Sequence, residues 1–174
     1  MMNEILIENE TPKNDQFLKS EVYKVYVDAS FDSSMKTKVY GTGCYITNTV
    51  SRSIFLDNRP GLKTLCNNRA ELLAISNGIC RAFDLLKNTL TSRYIVYTDS
   101  QTALSWITGE LDHPTDMDNV IRSIQWRMQV GDIELVLVKG HAGLTNSDTM
   151  RMSMVDKLAK DSMRMKRDLE LGTR

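Results

Sequence analysis

A run of β-branched and aromatic residues, apolar on both faces, follows Lys24 at positions 25–27 and is followed by Asp28. Strands that are covered on both sides have this pattern, so the run predicts a central strand of a sheet. The run at 94–98 repeats the pattern and is followed by Asp99. A carboxylate at the end of a buried strand is costly unless a cation meets it. Two such strands in one sheet would bring two carboxylates to one edge, which indicates a metal site.

Shorter apolar runs and helical spacings predict the remaining elements. Gly41 and Gly43 in the second strand indicate a β-bulge or the close approach of another backbone. Ser100 is well placed to cap a short helix. One buried helical stripe is predicted from Leu72, Ile75, Ile79, Phe83 and Leu86. The predicted strands are 22–30, 39–47, 51–57, 93–98 and 133–139, and the predicted helices are 68–87, 100–107, 118–128 and 152–167.

The order of these elements predicts an α/β fold. Three closely spaced strands favour an antiparallel meander, and strands that alternate with helices favour parallel pairs. We therefore expect a mixed five-stranded sheet with helices on both faces. We also expect residues 1–20 to form a flexible lead-in, residues 21–167 to form one domain, and residues 168–174 to form a C-terminal tail.

The composition is that of an ordinary globular protein. Of 174 residues, 41% are hydrophobic and 25% are charged, which excludes a disordered chain. Lys plus Arg and Asp plus Glu number 22 each, so any basic surface for nucleic acid has to be local. No apolar run approaches the length of a membrane span, and the N-terminus lacks a signal-peptide pattern. Cys44, Cys66 and Cys80 have no metal-like spacing, and we interpret them as reduced thiols of a cytoplasmic protein.

Four acidic residues, Asp28, Glu71, Asp99 and Asp156, fall at the ends of predicted elements or beside buried positions. Singly, each has a structural explanation, such as a helix-dipole carboxylate for Glu71 or a turn residue for Asp99. As a group they are costly, because two carboxylates about 4 Å apart repel by roughly 4 kcal/mol at an effective dielectric of about 20. Protons or hard divalent cations would neutralise such a cluster. Ligands that are all oxygen favour Mg²⁺ or Mn²⁺ over Zn²⁺.

Five segments carry a family resemblance, in the right order along the chain. They are Val27-Asp28-Ala29-Ser30, Asn67-Asn68-Arg69-Ala70-Glu71-Leu72, Tyr97-Thr98-Asp99-Ser100-Gln101, Val138-Lys139-Gly140-His141-Ala142-Gly143 and Val155-Asp156-Lys157-Leu158-Ala159. Together they resemble the successive motifs of type 1 ribonuclease H, and the resemblance covers roughly residues 22–165. Each motif alone is weak, but five in order, each on the predicted element, are a specific signal.

The resemblance implies the ribonuclease H-like fold, with residues 21–167 as the catalytic domain of a nuclease. Such an enzyme hydrolyses the RNA strand of RNA·DNA hybrids and leaves a 5′-phosphate and a 3′-hydroxyl. Asp28, Glu71, Asp99 and Asp156 would hold two Mg²⁺ ions about 4 Å apart, for which Mn²⁺ would substitute; one ion activates water and the other stabilises the leaving oxygen. The resemblance assigns His141 a helper role in proton transfer or product release.

The resemblance also implies residues that contact the hybrid, which are Ser30, Asn67, Asn68, Ser100 and Gln101. They would meet the backbone and the minor groove, where 2′-hydroxyls distinguish RNA from DNA without a reading of sequence. Helix capping is the competing interpretation for Asn67 and Asn68. The expected partner is the hybrid itself, bound by a monomer that replication proteins could assist, with no membrane involved.

Several features depart from the family pattern or match none of its motifs. Fifteen positions separate His141 from Asp156, a longer connection than the family leads us to expect, and Asp148 is the alternative fourth carboxylate. Ala29 replaces the usual glycine, which we expect to be tolerated. His113 matches no motif and is predicted to be a surface residue.

Charge around the predicted site also differs from some family members, which carry a basic protrusion after the short helix. The matching residues 109–120 contain no Lys or Arg, and their acids are Glu110, Asp112, Asp116 and Asp118. Binding through that surface should therefore be weak. The last predicted helix has a basic face, formed by Lys157, Lys160, Arg164 and Arg167. This face is either a phosphate-binding surface or a solvated one.

Two other functions stay open. One is a DNA-directed nuclease of the same fold, such as a junction resolvase or a proofreading exonuclease. The exonuclease pattern has a second acid two residues after the first, where Ser30 stands. The other is a catalytically silent module that binds or tethers nucleic acid. A missing acid would favour the silent module, and all four acids are present.

Overall fold

The structure of the protein, a computed structural model, describes residues 21–34, 38–49, 54–62, 66–85, 92–138 and 146–172. These ranges contain five strands and four α-helices, with a 3₁₀ turn at Thr115–Met117. The strands are β1 (Val22–Asp32), β2 (Val39–Asn48), β3 (Ile54–Leu62), β4 (Arg93–Thr98) and β5 (Asp132–Leu137). The helices are α1 (Asn67–Leu85), α2 (Gln101–Thr108), α3 (Asp118–Val130) and α4 (Asn146–Glu170).

The strand β1 is the centre of a five-stranded sheet with the order β3-β2-β1-β4-β5. It pairs antiparallel with β2, which pairs antiparallel with β3. On its other side β1 pairs parallel with β4, which pairs parallel with β5. The predicted mixed sheet, a meander followed by parallel strands, is therefore confirmed.

Alternate residues of β1 belong to two hydrophobic clusters, one on each face of the sheet. Val25 and Val27 are fully buried in a cluster with residues of α1, α2 and α3. Tyr26 belongs to the second cluster, with Tyr45 of β2 and Val155 of α4. The predicted helices on both faces are confirmed, and the covering of both faces explains why the successive residues Val25, Tyr26 and Val27 are all apolar.

The predicted stripe of α1 packs against the first of these clusters. Leu72, Ile75 and Ile79 are fully buried, and Phe83 is partly buried against the same cluster. Leu86 lies outside the described residues. No helix within the described ranges is both long and apolar enough to cross a bilayer.

Gly41 and Gly43 allow α4 to lie directly on β2. A Cβ atom at Gly43 would overlap the carbonyl oxygen of Val155, and one at Gly41 would overlap that of Ala159. The pairing of β2 with β1 continues through both glycines. The close approach of another backbone therefore explains these glycines, and no bulge occurs there. Because α4 carries Asp156, this contact sets the height of that residue above the sheet.

Two elements differ from the predicted ones by five or more residues at one end, and the other elements differ by at most two. The strand β3 runs to Leu62, five residues past the predicted end at 57, and includes Pro60. Proline lacks the N–H donor of a central strand, but β3 is an edge strand, where proline is tolerated. The helix α4 begins at Asn146, six residues before the predicted start at 152, and continues to Glu170. Residues 146–154 of the long connection before Asp156 are therefore helix and not loop.

Ser100 caps α2, as predicted, and this cap supports a first test. Its Oγ accepts a hydrogen bond from the backbone N–H of Ala103 at 3.3 Å. We expect Ser100→Ala to lower the free energy of unfolding by about 1 kcal/mol, because that N–H loses its acceptor. Urea denaturation measures the change, and Ser100→Gly is the control, with an expected cost of only a few tenths of a kcal/mol. An alanine variant as stable as the wild type would contradict the cap.

Candidate active site

Three carboxylates from three different elements meet beside the carboxyl end of β4. Asp28 lies within β1, Glu71 lies in the second turn of α1, and Asp99 directly follows β4. Each offers one carboxylate oxygen, and these oxygens all lie within 4.8 Å of one another. The parallel register explains the meeting of two of them, because Tyr26 pairs with Tyr97 and each of these tyrosines is two residues before an aspartate.

Burial and the charges of neighbouring carboxylates favour the protonated forms of Asp28 and Glu71. Burial, with the charge of Asp99 as the next cause, raises the pKa of Asp28 from 3.8 to about 7. Burial likewise raises the pKa of Glu71 from 4.5 to about 9, and the charges of Asp28 and Asp99 add to the shift. Without a cation the cluster therefore retains protons near neutral pH, and a divalent cation would compete with those protons.

The hydrogen bonds that the described residues make around the cluster leave one oxygen of Glu71 without a partner. Asn67 Nδ2 donates to Glu71 Oε1 at 3.3 Å, and the backbone N–H of Ala29 donates to Asp28 Oδ1 at 2.8 Å. Glu71 Oε2 is buried and has no hydrogen-bond partner within the described ranges. An unpaired buried oxygen is costly, and a cation bound by the three carboxylates would satisfy it. These oxygen ligands suit Mg²⁺ or Mn²⁺, so the residues fit the predicted metal.

Asp156 lies near this cluster but is not one of the three converging carboxylates. Its side chain is 44% exposed, and its Oδ2 forms an ion pair with Lys160 Nζ at 2.7 Å. The charge of Asp156 contributes to the raised pKa of Asp28, and the charge of Lys160 opposes that shift. In this arrangement the ammonium group of Lys160 balances the charge of Asp156, as a metal ion would. Its role as the fourth metal ligand stays a prediction.

Asp148, the alternative fourth carboxylate, is surrounded by donors of the protein itself. It is 5% exposed and accepts a hydrogen bond from the hydroxyl of Tyr26. Its Oδ1 also lies 3.4 Å from Lys24 Nζ and 3.2 Å from Arg151 Nη1. This environment favours Asp156 over Asp148 as the fourth carboxylate.

The structure describes only one of the two histidines, His113. His141 lies outside the described residues, so its predicted role is not tested. His113 is partly buried, and its Nε2 lies 2.8 Å from Oδ1 of Asp118, at the start of α3. It therefore contacts an aspartate that is not one of the three converging carboxylates.

A polar cleft of about 280 Å³ opens beside Glu71 and Asp99. Its other lining residues are Asn67, Asn68, Ser100, Gln101 and Thr102. The amides of Asn67, Asn68 and Gln101 are exposed in the first turns of α1 and α2. Four of the five predicted substrate residues thus line one cleft, while Ser30 lies on β1 and outside this lining. Contacts of these residues with a hybrid stay a prediction.

Ion pairs reduce the charge of both surfaces that the sequence singles out. In residues 109–120, Asp116 accepts hydrogen bonds from Arg69, the shortest of which are Nε to Oδ2 at 3.0 Å and Nη2 to Oδ1 at 2.9 Å. On the basic face of α4, the ion pairs are Lys160 with Asp156, Arg164 with Asp161, and Arg167 with Asp32 and Asp168. The basic face is therefore partly neutralised within the protein, which lowers its expected affinity for phosphates.

Two residues of the site are not in the predicted set. Thr102 lines the cleft from the first turn of the helix that follows Asp99, and that position in the sequence is a usable signal. Lys160 pairs with Asp156 at the i,i+4 spacing that joins opposite charges on a helix. The sequence shows this spacing, but the basic face suggested contact with a phosphate and not with the acid.

The sheet order, the helices on both faces and the three converging carboxylates define a protein of the ribonuclease H-like class. The sequence model of the RNase H family matches residues 20–164, and the chain belongs to this family. No curated protein matches the chain.

Solved structures share the fold at low sequence identity. The N-terminal RNase H domain of a Mycobacterium tuberculosis protein, solved as a fusion with maltose binding protein, has a TM-score of 0.66 and 18% identity, over 87% of this chain and 99% of that one. LC11-RNase H1 in complex with an RNA/DNA hybrid has a TM-score of 0.64 and 16% identity, over 83% and 98%. The prototype foamy virus protease–reverse transcriptase has a TM-score of 0.62 and 18% identity, over 83% of this chain and 21% of that one.

Proposed function

We propose that this protein is a metal-dependent endonuclease that hydrolyses the RNA strand of RNA·DNA hybrids and leaves 5′-phosphate and 3′-hydroxyl ends. The observation that carries the proposal is the meeting of Asp28, Glu71 and Asp99 within 4.8 Å beside an open polar cleft. Membership of the RNase H family supports the reaction class. The likeness to LC11-RNase H1, which was solved with an RNA/DNA hybrid, supports the choice of substrate.

The carboxylates supply the ligands for the proposed cofactor. When bound, two Mg²⁺ ions, or Mn²⁺ in their place, would activate a water molecule and stabilise the leaving oxygen. Asp28, Glu71 and Asp99 would be ligands, and Oε2 of Glu71, which has no hydrogen-bond partner among the described residues, supports this assignment. Asp156 would join them, and its ion pair with Lys160 would have to open for it to do so.

The remaining site residues would bind and orient the hybrid. The exposed amides of Asn67, Asn68 and Gln101 can donate to backbone oxygens and to 2′-hydroxyls, which allows RNA to be distinguished from DNA. The hydroxyls of Ser30 and Ser100 would add contacts with the sugar–phosphate backbone. His141 would assist proton transfer or product release.

Three duplexes of one sequence test the proposal. The protein is incubated with uniform RNA·DNA hybrid, RNA duplex and DNA duplex, each with Mg²⁺ or Mn²⁺. Cleavage of the hybrid alone, with 3′ ends that a polymerase can extend, is the expected result. Cleavage of the DNA duplex would instead indicate a DNA-directed nuclease. Binding of the hybrid without cleavage would indicate a silent binding or tethering module.

We expect His141→Ala to slow hybrid cleavage without abolishing it. A residue that assists proton transfer contributes on the order of a hundredfold, while the carboxylates that bind the metal stay in place. Steady-state kinetics on the hybrid measure kcat and KM. His113→Ala is the matched control, because His113 contacts Asp118 and belongs neither to the three carboxylates nor to the lining of the cleft, so this variant should keep wild-type turnover. Complete inactivity of His141→Ala would show that the histidine has another role.

We also propose that the protein is a cytoplasmic monomer. In this proposal residues 21–167 form the catalytic domain, residues 1–20 a lead-in and residues 168–174 a C-terminal tail, of which 168–170 are the last residues of α4. The odd number of cysteines without metal-like spacing supports a reducing compartment. Weak binding by the acidic residues 109–120 supports assistance from replication proteins in holding the hybrid. Light scattering of the free protein, and hybrid binding with and without added replication proteins, would test these points.

A further inference from the structure

A cluster of aromatic and charged side chains connects the sheet to the first turns of α4. We call it the α4 anchor, and its members are Lys24, Tyr26, Tyr45, Tyr97, Asp148 and Arg151. At its centre the hydroxyl of Tyr26 donates to Oδ1 of Asp148. Arg151 Nη1 donates to the Tyr26 hydroxyl at 3.1 Å and to Asp148 Oδ1 at 3.2 Å. Lys24 Nζ lies 3.4 Å from the same carboxylate oxygen.

Ring contacts hold the same cluster from its other sides. The ring of Tyr26 stacks on that of Tyr97, with centroids 4.8 Å apart and planes 8° apart, and meets Tyr45 edge-on at 6.0 Å. The guanidinium of Arg151 lies 5.5 Å from the ring centroid of Tyr26 and 5.8 Å from that of Tyr45. Each of these contacts depends on direction as well as distance, so together they favour one position of the helix on the sheet.

The α4 anchor includes residues of β1, β4 and α4, which place three of the predicted metal ligands. Tyr26 is two residues before Asp28 on β1, and Tyr97 of β4 is two residues before Asp99, which directly follows that strand. Asp148 is eight residues, or about two turns, before Asp156 on α4. Because an α-helix is stiff over two turns, the attachment of Asp148 and Arg151 to the sheet also sets where Asp156 stands. The ion pair of Asp156 is with Lys160 of the same helix, so that pair does not place α4 against β1.

We propose that Asp148, Tyr26 and Arg151 are positioning residues, which hold α4 at the rotation and register that bring Asp156 to the carboxylate cluster. This inference rests on the proposed function, in which Asp156 is the fourth metal ligand. The glycines of β2 set the distance between helix and sheet, but a backbone contact alone would allow the helix to slide or turn. A carboxylate that is 5% exposed is stable only where its partners meet it. A helix that slid or turned would leave Asp148, Lys24 and Arg151 without their partners.

Two conservative variants and one control test this role. Asp148→Asn keeps an oxygen that can accept from Tyr26 but removes the charge that attracts Lys24 and Arg151. Tyr26→Phe keeps the ring and removes only the hydroxyl. Met163→Ala is the control, because Met163 is a buried residue near the other end of α4, and its truncation weakens helix packing without contact with the α4 anchor.

The readouts are Mn²⁺ affinity, by titration calorimetry, and the Mg²⁺ concentration for half-maximal hybrid cleavage. We expect both values to worsen by about tenfold in Asp148→Asn and Tyr26→Phe, as for residues that orient a metal ligand. Met163→Ala should lower the melting temperature and leave both metal values unchanged. In an Asp156→Asn background, Asp148→Asn should have no further effect on Mn²⁺ affinity, because the ligand that it positions is gone.

The outcomes separate this role from the proposed function. If the wild type cleaves the hybrid and both variants bind Mn²⁺ as the control does, the positioning role is wrong and the nuclease stands. If the wild type binds Mn²⁺ but cleaves nothing, the nuclease is wrong, and the Mn²⁺ affinities of the variants still decide the positioning role. A wild type that binds no Mn²⁺ would overturn both. If Asp148→Asn fails to fold, Tyr26→Phe alone decides.

Discussion

Asp99→Asn is expected to abolish hybrid cleavage while the protein stays folded. The oxygen of Asp99 lies within 4.8 Å of those of Asp28 and Glu71, and its side chain faces the cleft. Metal ions stabilise the charge of a phosphoryl transition state by several kcal/mol, and each 1.36 kcal/mol corresponds to a tenfold change in rate. Loss of this ligand should therefore slow cleavage by at least about a thousandfold, which single-turnover assays with Mg²⁺ can measure.

The same substitution is expected to stabilise the protein in the absence of metal. Unit charges 4.8 Å apart, the largest separation in the cluster, repel by roughly 3.5 kcal/mol at an effective dielectric of about 20, and the exposure of Asp99 reduces this value. The gain should grow with pH, because Asp28 and Glu71, with pKa values of about 7 and about 9, then ionise. Urea denaturation in EDTA at several pH values measures this gain in the free energy of unfolding.

Asp161→Asn is the matched control for both effects. It removes the same charge from an exposed residue of α4, whose side chain is 52% exposed and pairs with Arg164 at 3.8 Å. Neither cleavage nor the pH dependence of stability should change. An Asp99→Asn protein that is unfolded, or that cleaves the hybrid near the wild-type rate, would contradict the role of Asp99.

The parts of the site that local sequence could predict are those on the central strands and near the start of α1. The predicted bounds of β4 agree with the structure, and Asp99 follows it because the apolar run ends there. The strands β1 and β4 pair in parallel, and their register brings Asp28 of β1 close to Asp99, which directly follows β4. The position of Glu71 could also be predicted. This residue directly precedes the buried helical stripe that begins at Leu72, and a residue there is held close to the sheet.

The start of α4 could not be predicted in the same way, because long-range contacts decide it. Asp148 interrupts the apolar pattern that a helix stripe requires, although it is buried as deeply as the core. Its burial depends on Lys24 and Tyr26, more than 120 positions earlier in the chain. Similarly, Pro60 indicates the end of a strand unless the strand is known to lie at the edge of the sheet. The local pattern of hydrophobic and polar residues contains neither the partners of Asp148 nor the position of β3 at the edge of the sheet.

In the absence of divalent cations, the protein is expected to lose stability as the pH rises from about 5 to about 9. Folding raises the pKa of Asp28 from 3.8 to about 7 and that of Glu71 from 4.5 to about 9. A group with a raised pKa binds its proton more tightly in the folded state. Its stabilising contribution is complete below the unfolded pKa and is lost as the pH passes the folded pKa. The loss should be on the order of a few kcal/mol, or about 10 °C in Tm for a chain of this size.

Excess Mg²⁺ is expected to reverse this dependence, because metal ions bind the deprotonated carboxylates and therefore stabilise the protein more as the pH rises. Thermal unfolding across the pH series, with EDTA and with Mg²⁺, measures both profiles. Glu71→Gln should flatten the profile in EDTA and weaken the effect of Mg²⁺. Glu134→Gln, at an exposed residue of β5 that pairs with Arg93, should change neither profile. Stability in EDTA that rises with pH over this range would mean that Asp28 and Glu71 are not buried together, and a metal site built on them would then have no support.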